Sequence, residues 1–151
     1  MTANPLLKPY DTPYGAPPFD AIRPEHFRPA FEAGMTEQKA AIAAITASGE
    51  PSFDNTIVAL ERSGTTLERV AAAFFSLAGA ESNDAIEAIE RTIAPLLSRH
   101  SSEISLDPAL FARIDALHRK RERLGLNAEQ KRLLERYHTI FVQAGAMLDP
   151  Q

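Results

Sequence analysis

The chain contains no cysteine in its 151 residues. Disulfides, thiolate catalysis and thiolate metal ligation are thereby excluded, and the composition fits a reducing compartment. Glycine is scarce at 7 residues, and none of them builds a phosphate-cradling loop. Neither a G-x-S-x-G nucleophile elbow nor an H-E-x-x-H zinc helix occurs. No apolar run approaches the roughly 20 residues that cross a bilayer. Met1-Thr2-Ala3-Asn4-Pro5 has no basic n-region and no apolar h-region behind it. A cytoplasmic protein without a membrane partner is expected. Excess positive charge is missing too: the formal net charge is −4, so nothing global calls for nucleic acid or an anionic surface.

What is present is ordinary for a globular domain, 44% hydrophobic and 24% charged, in a chain long enough for one domain with a real core. Residues 1–23 differ from the rest. Pro5, Pro9, Pro13, Pro17 and Pro18 alternate with Tyr10, Tyr14 and Phe19. Repeated proline prevents regular structure, and aromatics need a surface to pack on, so this segment reads as an extended arm lying across a larger body. Residues 24–151 read as a helical domain. No β-branched run alternates with period two, so an all-α array of about five helices is expected, with short connections and no sheet.

The first helix carries Phe27, Phe31, Met35, Ile42 and Ile45 at 3-and-4 spacing and ends at Gly49-Glu50-Pro51. Pro29 predicts a start near Arg28 or a bend there. The second begins at Asp54 or Asn55, with Phe53 as the outer half of a hydrophobic staple. Ser63-Gly64 interrupts it, but Leu60, Gly64, Leu67, Ala71, Phe74 and Ala78 stay in phase. One long helix with a small-residue contact at Gly64 is favoured over two shorter ones. The third runs from Asn83 to Ile104, kinked by Pro95. The fourth is capped by Asp107-Pro108, buries Leu110, Phe111, Ile114 and Leu117, and ends at Gly125. The fifth opens with the pair Asn127 and Gln130 and buries Leu133, Leu134, Tyr137, Ile140, Phe141 and Met147. Asp149-Pro150-Gln151 then repeats the start signal of Asp107-Pro108. The simplest expectation is a leading piece of a longer protein, truncated at the start of a further helix; a frayed natural terminus is the alternative.

Chemistry-bearing residues are few. His26, His100, His118 and His138 lie far apart in sequence. His100 with Glu103, or His118 with Glu122, could form one edge of a metal site, yet a site needs three or four ligands, and His100 on an apolar stripe is more often a core histidine. From Arg113 to Arg136 there are eight Lys/Arg and four Asp/Glu, a local net of +4. Cations are favoured at a helix C-terminus, and Glu122, Glu129 and Glu135 interleave with them, so a solvated face is the better reading. Asp84, Glu87, Glu90 and Glu81 fall on exposed helical faces. No catalytic, cofactor-binding or metal-ligating residue is therefore assigned, and the residues alone describe a helical interaction or scaffold domain.

Several ordered blocks nevertheless resemble a known family. Phe53-Asp54-Asn55-Thr56-Ile57-Val58-Ala59-Leu60-Glu61-Arg62-Ser63-Gly64 is similar to the early signature of the thimet-oligopeptidase-like zinc metallopeptidases, and within them to the bacterial peptidyl-dipeptidases. Arg28-Pro29-Ala30-Phe31-Glu32-Ala33-Gly34-Met35, Leu110-Phe111-Ala112-Arg113-Ile114-Asp115, Arg121-Glu122-Arg123-Leu124-Gly125-Leu126 and Phe141-Val142-Gln143-Ala144-Gly145-Ala146-Met147-Leu148 follow in order. The resemblance implies a mainly helical, much longer peptidase that removes C-terminal dipeptides from short peptides. Its zinc is held by the two His of H-E-x-x-H and a downstream Glu, with the motif Glu activating water. None of those positions exists here, so the zinc belongs to the parent and none is expected in this piece. The implied role is the wall or lid of a substrate channel. Its partners are the catalytic remainder of the same protein and short peptides, with self-association or arm exchange of the isolated piece. A stand-alone helical interaction module is the competing reading.

Overall fold

The computed structural model describes residues 3–80 and 83–146, and among these it is all-helical. Six α-helices follow in order: α1 (Pro24–Ala47), α2 (Ala59–Ser63), α3 (Thr65–Ala80), α4 (Asp84–Ser105), α5 (Pro108–Arg119) and α6 (Ala128–Ala144). Short 3₁₀ turns at Pro5–Leu7, Pro13–Gly15 and Arg121–Arg123 and a π-helical turn at Phe53–Val58 complete the order. The start signal at Asp149-Pro150-Gln151, together with Met147 and Glu81, lies outside the described residues.

Helix starts follow local chemistry. α1 begins at Pro24 rather than near Arg28. Proline suits a first turn, and the His26 ring accepts a hydrogen bond from Arg23 N (2.9 Å), as a capping-box side chain does. Pro29 is carried inside α1, where its missing N–H removes a single bond. The cap before the π turn is Ser52, earlier than the expected Asp54 or Asn55. Ser52 Oγ accepts from Asn55 N (3.0 Å) while Asn55 Oδ1 accepts from Ser52 N (2.7 Å). Asp107 and Asn127 cap as expected, accepting at 3.0 and 2.9 Å from Leu110 and Gln130, and Asn83 caps α4, accepting at 3.0 Å from Ile86.

Two boundaries depart from the pattern reading. The favoured single helix is divided at Gly64 into α2 and α3, although Glu68 N still bonds Gly64 O at 2.9 Å. The contact at Gly64 is with the Gln38 side chain, whose Nε2 would lie 2.8 Å from an added Cβ. α5 stops at Arg119 instead of running to Gly125, because the 3₁₀ turn Arg121–Arg123 intervenes. Gly125 has φ +67, which ends the turn where an L side chain would be strained.

The chain divides into two compact units. The first holds the segment up to Lys39 and Gly64–Leu97; the second holds Ala40–Ser63 and the segment from Ser98 onward. The first core gathers Leu6 and Ile22 from the arm, Phe27, Ala30 and Phe31 from α1, Val70, Ala73 and Phe74 from α3, and Ile86 and Ile93 from α4. Phe27 and Phe31 meet Phe74 edge-on, with centroids 5.0 and 5.6 Å apart. The arm is thus not merely extended: Leu6 is fully buried, Asn4 Nδ2 donates to His26 O (2.8 Å), and the Arg69 guanidinium lies 5.2 Å over the Tyr10 ring. The second core gathers Ile42, Ile45, Ile57, Leu60, Leu110, Ile114, Leu117, Leu134 and Phe141. In α6, Leu134 and Phe141 are buried, whereas Ile140 is 43% exposed, against expectation, because it lies off the 134/141 face.

Candidate functional site

Polar side chains converge most densely in the second unit. In α5 the 3-and-4 spacing that buries Leu110, Ile114 and Leu117 also delivers Arg113 to the core face, where it is 8% exposed. Its guanidinium has five N–H groups, and each has an acceptor. Nε donates to Thr56 Oγ1 (3.2 Å), Nη1 to Ser48 O (3.0 Å) and Gly49 O (2.8 Å), and Nη2 to Ser48 Oγ (2.8 Å) and Asn55 Oδ1 (2.9 Å). The two carbonyls lie just beyond the C-terminal end of α1, where backbone oxygens lack helical partners and carry partial negative charge. Arg113 therefore ties the end of α1 to the π turn that opens α2. With no donor left over, it is a brace and not an anion receptor. The solvated-face reading of the basic segment fails at this residue; its place on the 110/114/117 stripe was the signal.

Four of the seven remaining cations of that segment face carboxylates rather than an open row. Arg119 Nη2 lies 2.8 Å from Asp115 Oδ2, Lys120 Nζ 3.6 Å from Glu50, Arg121 Nε 3.9 Å from Glu135, and Lys131 Nζ 2.8 Å from Glu122. Exposed pairs of this kind contribute at most about 1 kcal/mol each, but they break up any phosphate-tracking stripe.

Of the four histidines, the fold brings two together. The His118 and His138 rings stack with centroids 3.8 Å apart and planes 6° from parallel. His138 Nε2 lies 3.0 Å from Asp115 Oδ1; a carboxylate only accepts, so the ring carries its proton there. The His118 pKa is pushed below its ordinary value, first by burial and then by His138 and Arg121, with Asp115 and Glu135 opposing. The ligand pairs suggested by spacing are otherwise engaged: Glu103 lies 3.5 Å from Arg99, and Glu122 holds Lys131. His100 is buried in α4, and His26 serves the start of α1.

These residues do not fit a zinc ion. Imidazole lone pairs lie in the ring plane, so the parallel, stacked rings of His118 and His138 cannot aim at one point, and no group of three His, Cys, Asp or Glu converges among the described residues. Asp84, Glu87 and Glu90 are exposed on α4. A surface depression in the first unit is lined by Arg28, Ala88, Ile89, Thr92 and Ile93. Its polar groups are used locally, Arg28 by Glu32 (3.0 Å) and Thr92 by Ala88 O (3.0 Å). No described helix is long and apolar enough to cross a membrane.

No protein-family model matches the chain. Among characterised proteins, the dipeptidyl carboxypeptidase of Escherichia coli (strain K12) is 45% identical over 148 residues, 97% of this chain and 22% of that protein. The dipeptidyl carboxypeptidase of Salmonella typhimurium (strain LT2) is 42% identical over 149 residues, 98% of this chain and 22% of the relative. Oligopeptidase A of Salmonella typhimurium is 31% identical over 134 residues, 87% of this chain and 19% of the relative. The chain spans less than a quarter of the length of these relatives.

Proposed function

Because the chain belongs to the family of the dipeptidyl carboxypeptidases and oligopeptidases A, we propose that it is the helical, non-catalytic leading part of a zinc peptidase that releases C-terminal dipeptides from short peptides. Its role is to form a wall or lid of the channel leading to the metal. The observation that carries this reading is the asymmetry of coverage: 97% of the chain is matched, but only 22% of the relative. The sequence has no H-E-x-x-H, so the zinc and the groups that activate water against the peptide bond are assigned to the remainder.

The physical logic is exclusion. A narrow, helix-walled passage admits an extended peptide and rejects a folded protein, and closing it shields the reaction from bulk water. Rigid helices suit that task. The Arg113 guanidinium, with its five hydrogen bonds, is spent wholly on bracing the second unit and contributes shape rather than substrate contact. Incubated with a short peptide and added zinc, the chain alone is expected to release no C-terminal dipeptide, and addition of the separately produced remainder is expected to restore release. Zinc-dependent turnover by the chain alone overturns the proposal.

A further inference from the structure

The α5–α6 contact holds a proton-sensitive arrangement that the peptidase reading does not use. α5 supplies Asp115, His118 and Arg119, the turn after it supplies Arg121, and α6 supplies Glu135 and His138. Phe111 closes the inner side, its ring 5.7 Å from His138 and 6.4 Å from Phe141. Asp115 is shared: Oδ1 takes His138 and Oδ2 takes Arg119. One carboxylate thus already balances one guanidinium before either ring is charged. Arg121 adds a second cation, donating through Nη1 to His118 O (2.7 Å) and lying 3.9 Å from Glu135.

A charge on His138 can be accommodated, because Asp115 accepts its proton-bearing nitrogen at 3.0 Å. His118 has no such carboxylate contact of its own. With His138 charged, a proton there would set two cationic rings face to face at 3.8 Å, beside two guanidinium groups. Like charges that close, in a half-buried setting, repel far more than they would in water.

We infer that the His118–His138 stack is a proton-operated latch between α5 and α6, held shut while His118 is neutral and loosened when both rings are protonated. The direction of the His118 shift agrees, since burial, His138 and Arg121 all lower its pKa from 6.5. The linkage sign follows. The unfolded chain takes up a proton on His118 at higher pH than the folded chain does. Stability is therefore full above about pH 6.5 and falls as pH drops through the folded midpoint. Within that window the unfolding constant rises by up to about tenfold per pH unit from this one group.

The test is a ring-proton NMR titration of the full chain from pH 8 to 5, beside urea unfolding of native chain and His118→Phe at the same pH values. Phenylalanine keeps a flat ring against His138 but takes no proton. The expected result is a His118 midpoint below 6.5. The unfolding constant of the native chain should also rise more steeply on acidification than that of the variant. A His118 midpoint at 6.5 or above overturns the inference, and so does a variant with the native pH slope. Should His118→Phe fail to fold, the titration of the native chain decides alone.

Discussion

The two units solve the same packing problem with different materials. In the first, three phenylalanine rings and a set of aliphatic side chains fill the core, and the arm adds Leu6 and Ile22 to it. In the second, a core of aliphatic side chains and one buried ring, Phe141, adjoins a buried guanidinium that has five neutral oxygen acceptors and a pair of stacked imidazoles. Apolar packing is non-directional: it is sensitive to lost volume but forgiving of shape. A satisfied polar brace is the reverse, indifferent to small changes of volume but dependent on each donor and acceptor staying in place. The first unit should therefore respond to cavities and the second to chemistry.

The largest effect belongs to the first unit. Phe74→Ala removes the ring on which Phe27 and Phe31 converge and should cost about 3–5 kcal/mol, while Phe74→Leu, nearer in volume, should cost well under half of that. Urea unfolding reads both, and equal losses would show that ring geometry rather than volume decides. In the second unit, Arg113→Leu removes the five bonds donated to Ser48, Gly49, Asn55 and Thr56 and should cost about 3 kcal/mol. Arg113→Lys is the sharper probe. One ammonium cannot reach Ser48 and Thr56 together as a planar fork does, so it should recover less than half of the loss. A lysine variant as stable as the native chain would mean that charge alone, not the five directed bonds, is what the site requires.

The difference between the units also explains what was legible in the sequence. The first unit's core follows from helical periodicity, since Phe27, Phe31 and Phe74 occupy apolar stripes and burial is what such stripes encode. The caps Asp107 and Asn127 were equally readable, because their acceptors bond N–H groups a few residues away. The brace was not, because its partners are 57 to 65 positions distant and no local pattern links Arg113 to Ser48 or Thr56. Only the anomaly of an arginine on an apolar stripe pointed to it. The His118–His138 stack joins residues on different helices, and the spacing pairs His118–Glu122 and His100–Glu103 pointed elsewhere. The split at Gly64 was half legible: the phase of the stripe continues across it, and the turn is a local departure that periodicity does not register.

The smallest expected effect comes from two glycines of the first unit that sequence alone would treat alike. An alanine gains up to about 1 kcal/mol of helix propensity at Gly34 inside α1 and only part of that at Gly64 between α2 and α3, so the neighbour of the new methyl decides the outcome. At Gly34 the added Cβ would lie 3.1 Å from Leu67 Cα and 3.2 Å from Leu67 N, which is backbone of α3 and cannot yield without moving that helix. At Gly64 it would lie 2.8 Å from Gln38 Nε2, the far end of a flexible side chain that can swing aside. Gly34→Ala should therefore destabilise by about 1 kcal/mol net, because overpacking against backbone outweighs the propensity gain. Gly64→Ala should fall within about 0.5 kcal/mol of neutral, because lost Gln38 packing and gained propensity offset one another. Thermal unfolding of the two variants side by side orders them. The reverse order would show that Gly64 is needed for the break between α2 and α3 itself, and not for the room it leaves Gln38.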